Sequence, residues 1–134
     1  METVHESQFQ KVNLFAEHSF LEFIWQNTEE LTDEEYCEEL KLQVELISNY
    51  KVVKELFDTK DFVFTISIEL QEWTAKNIFP ELQKLGIKQF ALVVPETLIA
   101  ELSLSQAIDE DVEGAFRSKF FKSRDEARKF LASI

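Results

Sequence analysis

The chain has 134 residues, with 26 Asp+Glu against 14 Lys+Arg and a formal net charge of −12. Its length and its 45% hydrophobic share, 13 Phe among them, suit one packed domain over residues 1–134 and are too little for two. The acidic balance argues against a nucleic-acid-binding surface, and two Gly in the whole chain exclude a Gly-rich phosphate cradle.

Two strand-like segments come first. Residues 9–15 carry Val12 and Leu14 on one parity. Residues 20–26 carry Leu21, Phe23 and Trp25 on one parity and Glu22 and Gln26 on the other, which predicts a strand with one wetter face. The polar stretch at 16–19 between them predicts a hairpin loop that holds His18.

Thr32-Asp33-Glu34-Glu35 is a capping box that opens a helix ending near Asn49, with Tyr36, Leu40, Val44 and Ile47 as its apolar stripe. Residues 52–58 read as a buried strand. Ser67 caps a second helix through Leu85, with Leu70, Ile78, Leu82 and Leu85 inward, a kink expected at Pro80 and a stop at Gly86.

Residues 88–94 form an almost unbroken apolar run, the pattern of a parallel strand covered on both faces. Pro95 opens a short helix through Leu102, and an acidic loop fills 109–114. Residues 117–121 make a last strand. Ser123-Arg124-Asp125-Glu126 is a second capping box, for a helix with Ala127, Phe130, Leu131 and Ile134 inward. The order ββαβαβαβα predicts an α/β fold: a mixed, mostly parallel five-stranded sheet with an N-terminal hairpin and four helices.

One group of segments carries a resemblance. Leu56-Phe57-Asp58-Thr59 ends a strand, Ser67 opens a helix containing Trp73, KQFALVVPE forms a strand and turn, and FFKSRDEARKFL closes the chain. In this order they resemble the stage II sporulation protein AA-like domains, which share the STAS fold of anti-sigma-factor antagonists and sulfate transporters. The resemblance covers residues 50–134 and implies a sheet wound as a β–α superhelix. Anti-sigma antagonists carry a phosphorylatable Ser in an Asp-Ser-Ser-Gly-like motif. Residues 58–67 here read DTKDFVFTIS, so that switch is not carried over.

Candidate sites are few. His5 and His18 are the only histidines, neither with a ligand-spaced Cys or His, so no metal and no cofactor are expected. Residues 29–39 hold seven acids in eleven positions, and the helix dipole accounts for those in the first turn. Cys37, the sole cysteine, rules out an intramolecular disulfide, and its acidic neighbours make it a poor nucleophile. Asp58 sits where α/β proteins place functional residues, and an Asx turn explains it as well. The six bases between 117 and 129 read as a charged edge strand and its sequel. The polar, acidic N-terminus is unlike a secretory signal, and no apolar run approaches the ~20 residues of a membrane span. The expectation is a cytoplasmic protein without membrane insertion.

Phe62 and Phe64 stand out, because they are large and apolar in a connection expected to meet water. With Thr65, Ser67, Leu98 and Leu102 they form the candidate partner- or ligand-binding set. The first functional expectation is a non-catalytic STAS-like interaction or regulatory module that pairs as a homodimer or docks a protein partner. The second is a binding domain for a small apolar or lipid-like ligand at the same edge of the sheet. No residue constellation supports an enzyme.

Overall fold

The computed structural model describes residues 1–95 and 117–134. The helix expected after Pro95, with Leu98 and Leu102, and the loop at 109–114 lie outside them.

The hairpin forms as its alternation predicts. β2 (Gln10–Phe15) and β3 (Phe20–Trp25) pair antiparallel, with Val12 opposite Phe23 and Leu14 opposite Leu21. A 3-10 turn at Ala16–His18 joins them, with Ser19 left-handed at φ 57° and His18 exposed. The expected five-strand sheet is corrected to six, because β1 (Glu2–Glu6) adds to the free edge of β2. Its side chains show no strand-like alternation. Backbone pairing recruits it, with a bulge between Thr3 and His5.

α1 (Asp33–Tyr50) opens on the complete capping box: Thr32 Oγ1 accepts from Glu35 N and the Glu35 carboxylate accepts from Thr32 N. β4 (Lys54–Asp58) follows. The expected second helix is two helices, α2 (Ile68–Asn77) and α3 (Phe79–Lys84), because Pro80 lacks the N–H that would continue α2 and instead takes a first-turn position in α3. Gly86 ends α3 with φ +87°, a conformation in which a side chain is strained. β5 (Gln89–Val93), β6 (Arg117–Phe121) and α4 (Arg124–Ala132) complete the described elements.

The sheet runs β1-β2-β3-β4-β5-β6, antiparallel through β3 and parallel from β3 to β6. Successive parallel strands are laid down in one direction. Right-handed crossovers from β3 to β4 and from β4 to β5 put α1, α2 and α3 on one face. On that face Leu21, Phe23, Trp25 and Phe90 pack with Tyr36, Leu40 and Ile47 of α1, Leu70 of α2 and Leu82 of α3. The opposite face is held by α4, where Ala127 and Leu131 pack on Phe20, Leu56, Ala91 and Val93. β5 is covered on both faces, as its apolar run predicts. Ile134, expected inward, is exposed, since it lies beyond the last turn of α4.

Glu22 corrects the expectation of a wetter face on β3. It is fully buried, because β3 is interior to the sheet and Arg128 of α4 closes over it. Lys54 is buried too, and its Nζ donates to the Leu131 carbonyl in the last turn of α4 and to the Ile134 oxygen just beyond it. The Leu131 carbonyl has no intrahelical donor, so the ammonium satisfies it and favours the negative end of the helix.

Candidate functional site

The helix-covered side of the sheet leaves a cavity of about 530 Å³. Its floor is Trp25 of β3, Phe57 of β4, Phe90 and Leu92 of β5 and Ser118 of β6. The registers put these residues on one face: Phe23 pairs with Phe57, Phe57 with Leu92, and Phe90 with Ser118. Side chains alternate along a strand, so choosing that face for one strand chooses it for its neighbours.

The roof comes from helices. Tyr36, Leu40 and Gln43 recur along α1 at the four- and three-residue steps of one helix face. Thr74 of α2, Ile78 between the helices, and Phe79 and Leu82 of α3 face them. The break at Ile78 matters here: it re-aims the chain so that both short helices contribute to one wall.

The end wall is the segment singled out in the sequence. Residues 62, 64 and 66 are half-buried while 61, 63 and 65 are exposed, so the connection alternates like a strand although it joins no ladder. Phe62 meets Trp25 edge-on at 5.3 Å between ring centroids, and Phe64 stacks on Tyr36 at 5.4 Å. Val63 N donates to Thr28 Oγ1 at 3.0 Å and ties the connection down.

Of the residues expected at the site, Phe62 lines the cavity, joined by Ile66. Phe64 packs behind it on Tyr36. Thr65 is exposed. Ser67 is also exposed and caps α2, accepting from Leu70 N at 3.2 Å. Leu98 and Leu102 lie outside the described residues. Trp25, Tyr36, Gln43 and Thr74 were not among the expected site residues. The signal for Tyr36 was present as the stripe on α1, which reads equally as core.

The polar groups in the lining are few and already engaged. The Tyr36 hydroxyl bonds the Thr74 hydroxyl at 3.0 Å, and Thr74 Oγ1 donates to the Leu70 carbonyl at 2.8 Å. Thr59 Oγ1 donates to the Val93 carbonyl at 2.9 Å. Gln43 Nε2 donates to Gln10 Oε1 at 3.1 Å. Burial pushes the Tyr36 phenol above its ordinary range, so it is neutral at pH 7.

Other candidates have structural duties. The Asp58 carboxylate accepts from Lys60 N at 3.1 Å, the Asx turn, and pairs with Arg124 at 3.1 Å. Burial pushes the Cys37 thiol up, away from the thiolate a nucleophile needs. Lys119 of β6 lies over the rings of Phe121 on the same strand and Phe130 on α4. Among the described residues no group of three or more His, Cys, Asp or Glu is placed to hold a metal ion, and no helix is long and apolar enough to cross a membrane.

The chain matches no family model, no curated protein and no solved structure.

Proposed function

We propose that the protein is a non-catalytic binding module, cytoplasmic and STAS-like in arrangement, that holds a small apolar molecule between its sheet and helices. The single observation behind this reading is the cavity of about 530 Å³ walled by Trp25, Phe57, Phe62 and Phe90. Interiors pack densely, and a space this large falls within the range of small-molecule sites. Among the described residues no lining side chain is an acid or base suited to proton transfer near pH 7, which supports binding over catalysis. The run of parallel strands β3 to β6 in sequence order supports the STAS-like part.

Native mass spectrometry of the purified protein, before and after extraction with organic solvent, tests the reading. The expected result is a mass surplus that the solvent removes, and that falls when Leu92→Phe fills the cavity floor. A bare protein mass, together with no uptake of naphthalene, overturns it.

A second reading, docking of another copy or a protein partner, is favoured by Val63 and Ile68. These large apolar side chains are 64% and 73% exposed and lie six residues or fewer from the cavity's end wall at Phe62.

A further inference from the structure

Resting on the reading of the cavity as a ligand site, we infer that its occupant is uncharged and bears a hydrogen-bond donor: an apolar alcohol or phenol rather than a carboxylate or a ketone.

The first argument is charge. None of the fifteen described residues that line the cavity is Asp, Glu, Lys, Arg or His. A carboxylate there would lose part of its hydration and meet no cation among these residues, and an unpaired charge removed from water is unfavourable. The protein's net charge of −12 adds repulsion to any anion that approaches. A lipid-like ligand of the fatty-acid type is therefore excluded in its ionised form.

The second argument is an account of protons. A hydroxyl has one proton to donate and two lone pairs to accept with. Thr74 commits its proton to the Leu70 carbonyl, which can only accept. The bond between Thr74 and Tyr36 must then run from the Tyr36 hydroxyl to Thr74 Oγ1. Tyr36 has no second proton, so its oxygen presents lone pairs alone. Thr59 is in the same state, its proton committed to the Val93 carbonyl. Two of the hydroxyls in the lining thus accept and do not donate. A ligand hydroxyl can donate its one proton to either of them; a ligand carbonyl meets oxygen lone pairs at both.

Three probes with one ring system separate the possibilities: naphthalene, 2-naphthol and 2-naphthoate, titrated into the full chain by calorimetry at pH 7. The expected order is 2-naphthol tighter than naphthalene by about tenfold, the worth of one good hydrogen bond. 2-Naphthoate is expected to be weaker than 2-naphthol by about a hundredfold or more. Tyr36→Phe removes one of the two accepting oxygens, so it lowers the advantage of naphthol and leaves naphthalene unchanged. Where Tyr36→Phe fails to fold, Thr74→Val carries the test. It frees the Tyr36 proton, so methyl 2-naphthyl ketone gains affinity relative to the parent protein. Naphthoate binding as tightly as naphthol, or naphthol no tighter than naphthalene, overturns this inference and leaves the cavity as a ligand site. Failure of all three probes to bind overturns both.

Discussion

Arg128 on α4 grips Glu22 on β3 through two bonds, Nε at 2.6 Å to one carboxylate oxygen and a terminal nitrogen at 2.8 Å to the other. Asn13 Nδ2 donates to the same carboxylate at 2.9 Å, and Thr3 Oγ1 donates to Asn13 Oδ1 at 2.8 Å. The row Thr3–Asn13–Glu22 follows the sheet registers across three antiparallel strands. The Arg128 guanidinium also lies 5.1 Å from the Phe15 ring centroid. Residues 106 positions apart in sequence are thereby fixed to one another, and the antiparallel half of the sheet is tied to the helix that closes the parallel half.

Breaking that pair is expected to be costly. Arg128→Ala leaves Glu22 buried without its cation, a loss of about 3 kcal/mol. Glu22→Gln/Arg128→Met removes both charges and is expected to recover a good part of it, since no charge is then stranded. Urea unfolding of the parent, the single and the double variant measures this. A single variant within about 0.5 kcal/mol of the parent would show that the pair contributes as little as an exposed one.

Glu55 titrates against the usual carboxylate direction. It is fully buried on β4, neither of its oxygens has a partner, and its register neighbours are Leu21 and Phe90. Burial pushes its pKa from 4.5 up to about 8. The folded state therefore holds a proton that the unfolded state releases above pH 4.5. The stability from this group is complete below that pH and is lost as pH rises toward 8. Glu55→Met, with no charge to bury, is expected to be more stable than the parent at pH 8 and to lose this part of the slope. Urea midpoints of both proteins between pH 5 and 8.5 test the sign: a difference that is flat or shrinks with rising pH refutes it.

Local signals were the legible ones. The capping box at Thr32 and Glu35, the stop at Gly86 and the apolar run of β5 each depend on neighbours within a few residues, and each formed where it was read. Glu22 was misread because its partner lies at the far end of the chain, and alternation alone gave it a wet face. β1 escaped notice because an edge strand needs only the free backbone of β2, and its Glu, Thr and His side chains announce nothing. The cavity was half visible. Phe62 was marked by its excess of apolar surface over what a loop requires, whereas Trp25, Tyr36 and Phe90 were hidden among ordinary core positions. Only the register of the sheet and the break at Ile78 bring those walls together.

Phe64 and Phe62 are expected to separate in their effects. Phe64 stacks on Tyr36 and lies outside the cavity lining, so Phe64→Ala acts on the fold, with a loss of about 2 kcal/mol, less than for a fully buried ring. Phe62→Ala enlarges the cavity at its end wall. It should change uptake of naphthalene more than Phe64→Ala does when both are measured well below their melting temperatures. Equal effects of the two on uptake would mean that Phe62 serves the core alone.

The exposed pair Val63 and Ile68 distinguishes the two functional readings. Both side chains point away from the end wall, Val63 because it alternates with Phe62 and Phe64, Ile68 because it begins α2 on the exposed side. Charges placed there should leave the fold alone, since surface changes away from buried features stay within about 0.5 kcal/mol. The Val63→Asp/Ile68→Asp variant is therefore expected to melt like the parent and to take up naphthalene like the parent. If the patch pairs two copies, the parent sediments as a dimer and the variant as a monomer, because two added carboxylates per face repel across a twofold interface. If both sediment as monomers while naphthalene uptake is unchanged, the patch does not pair copies and the cavity alone carries the function. A variant that dissociates and also loses uptake would join the two readings: the second copy would then be needed to complete the site.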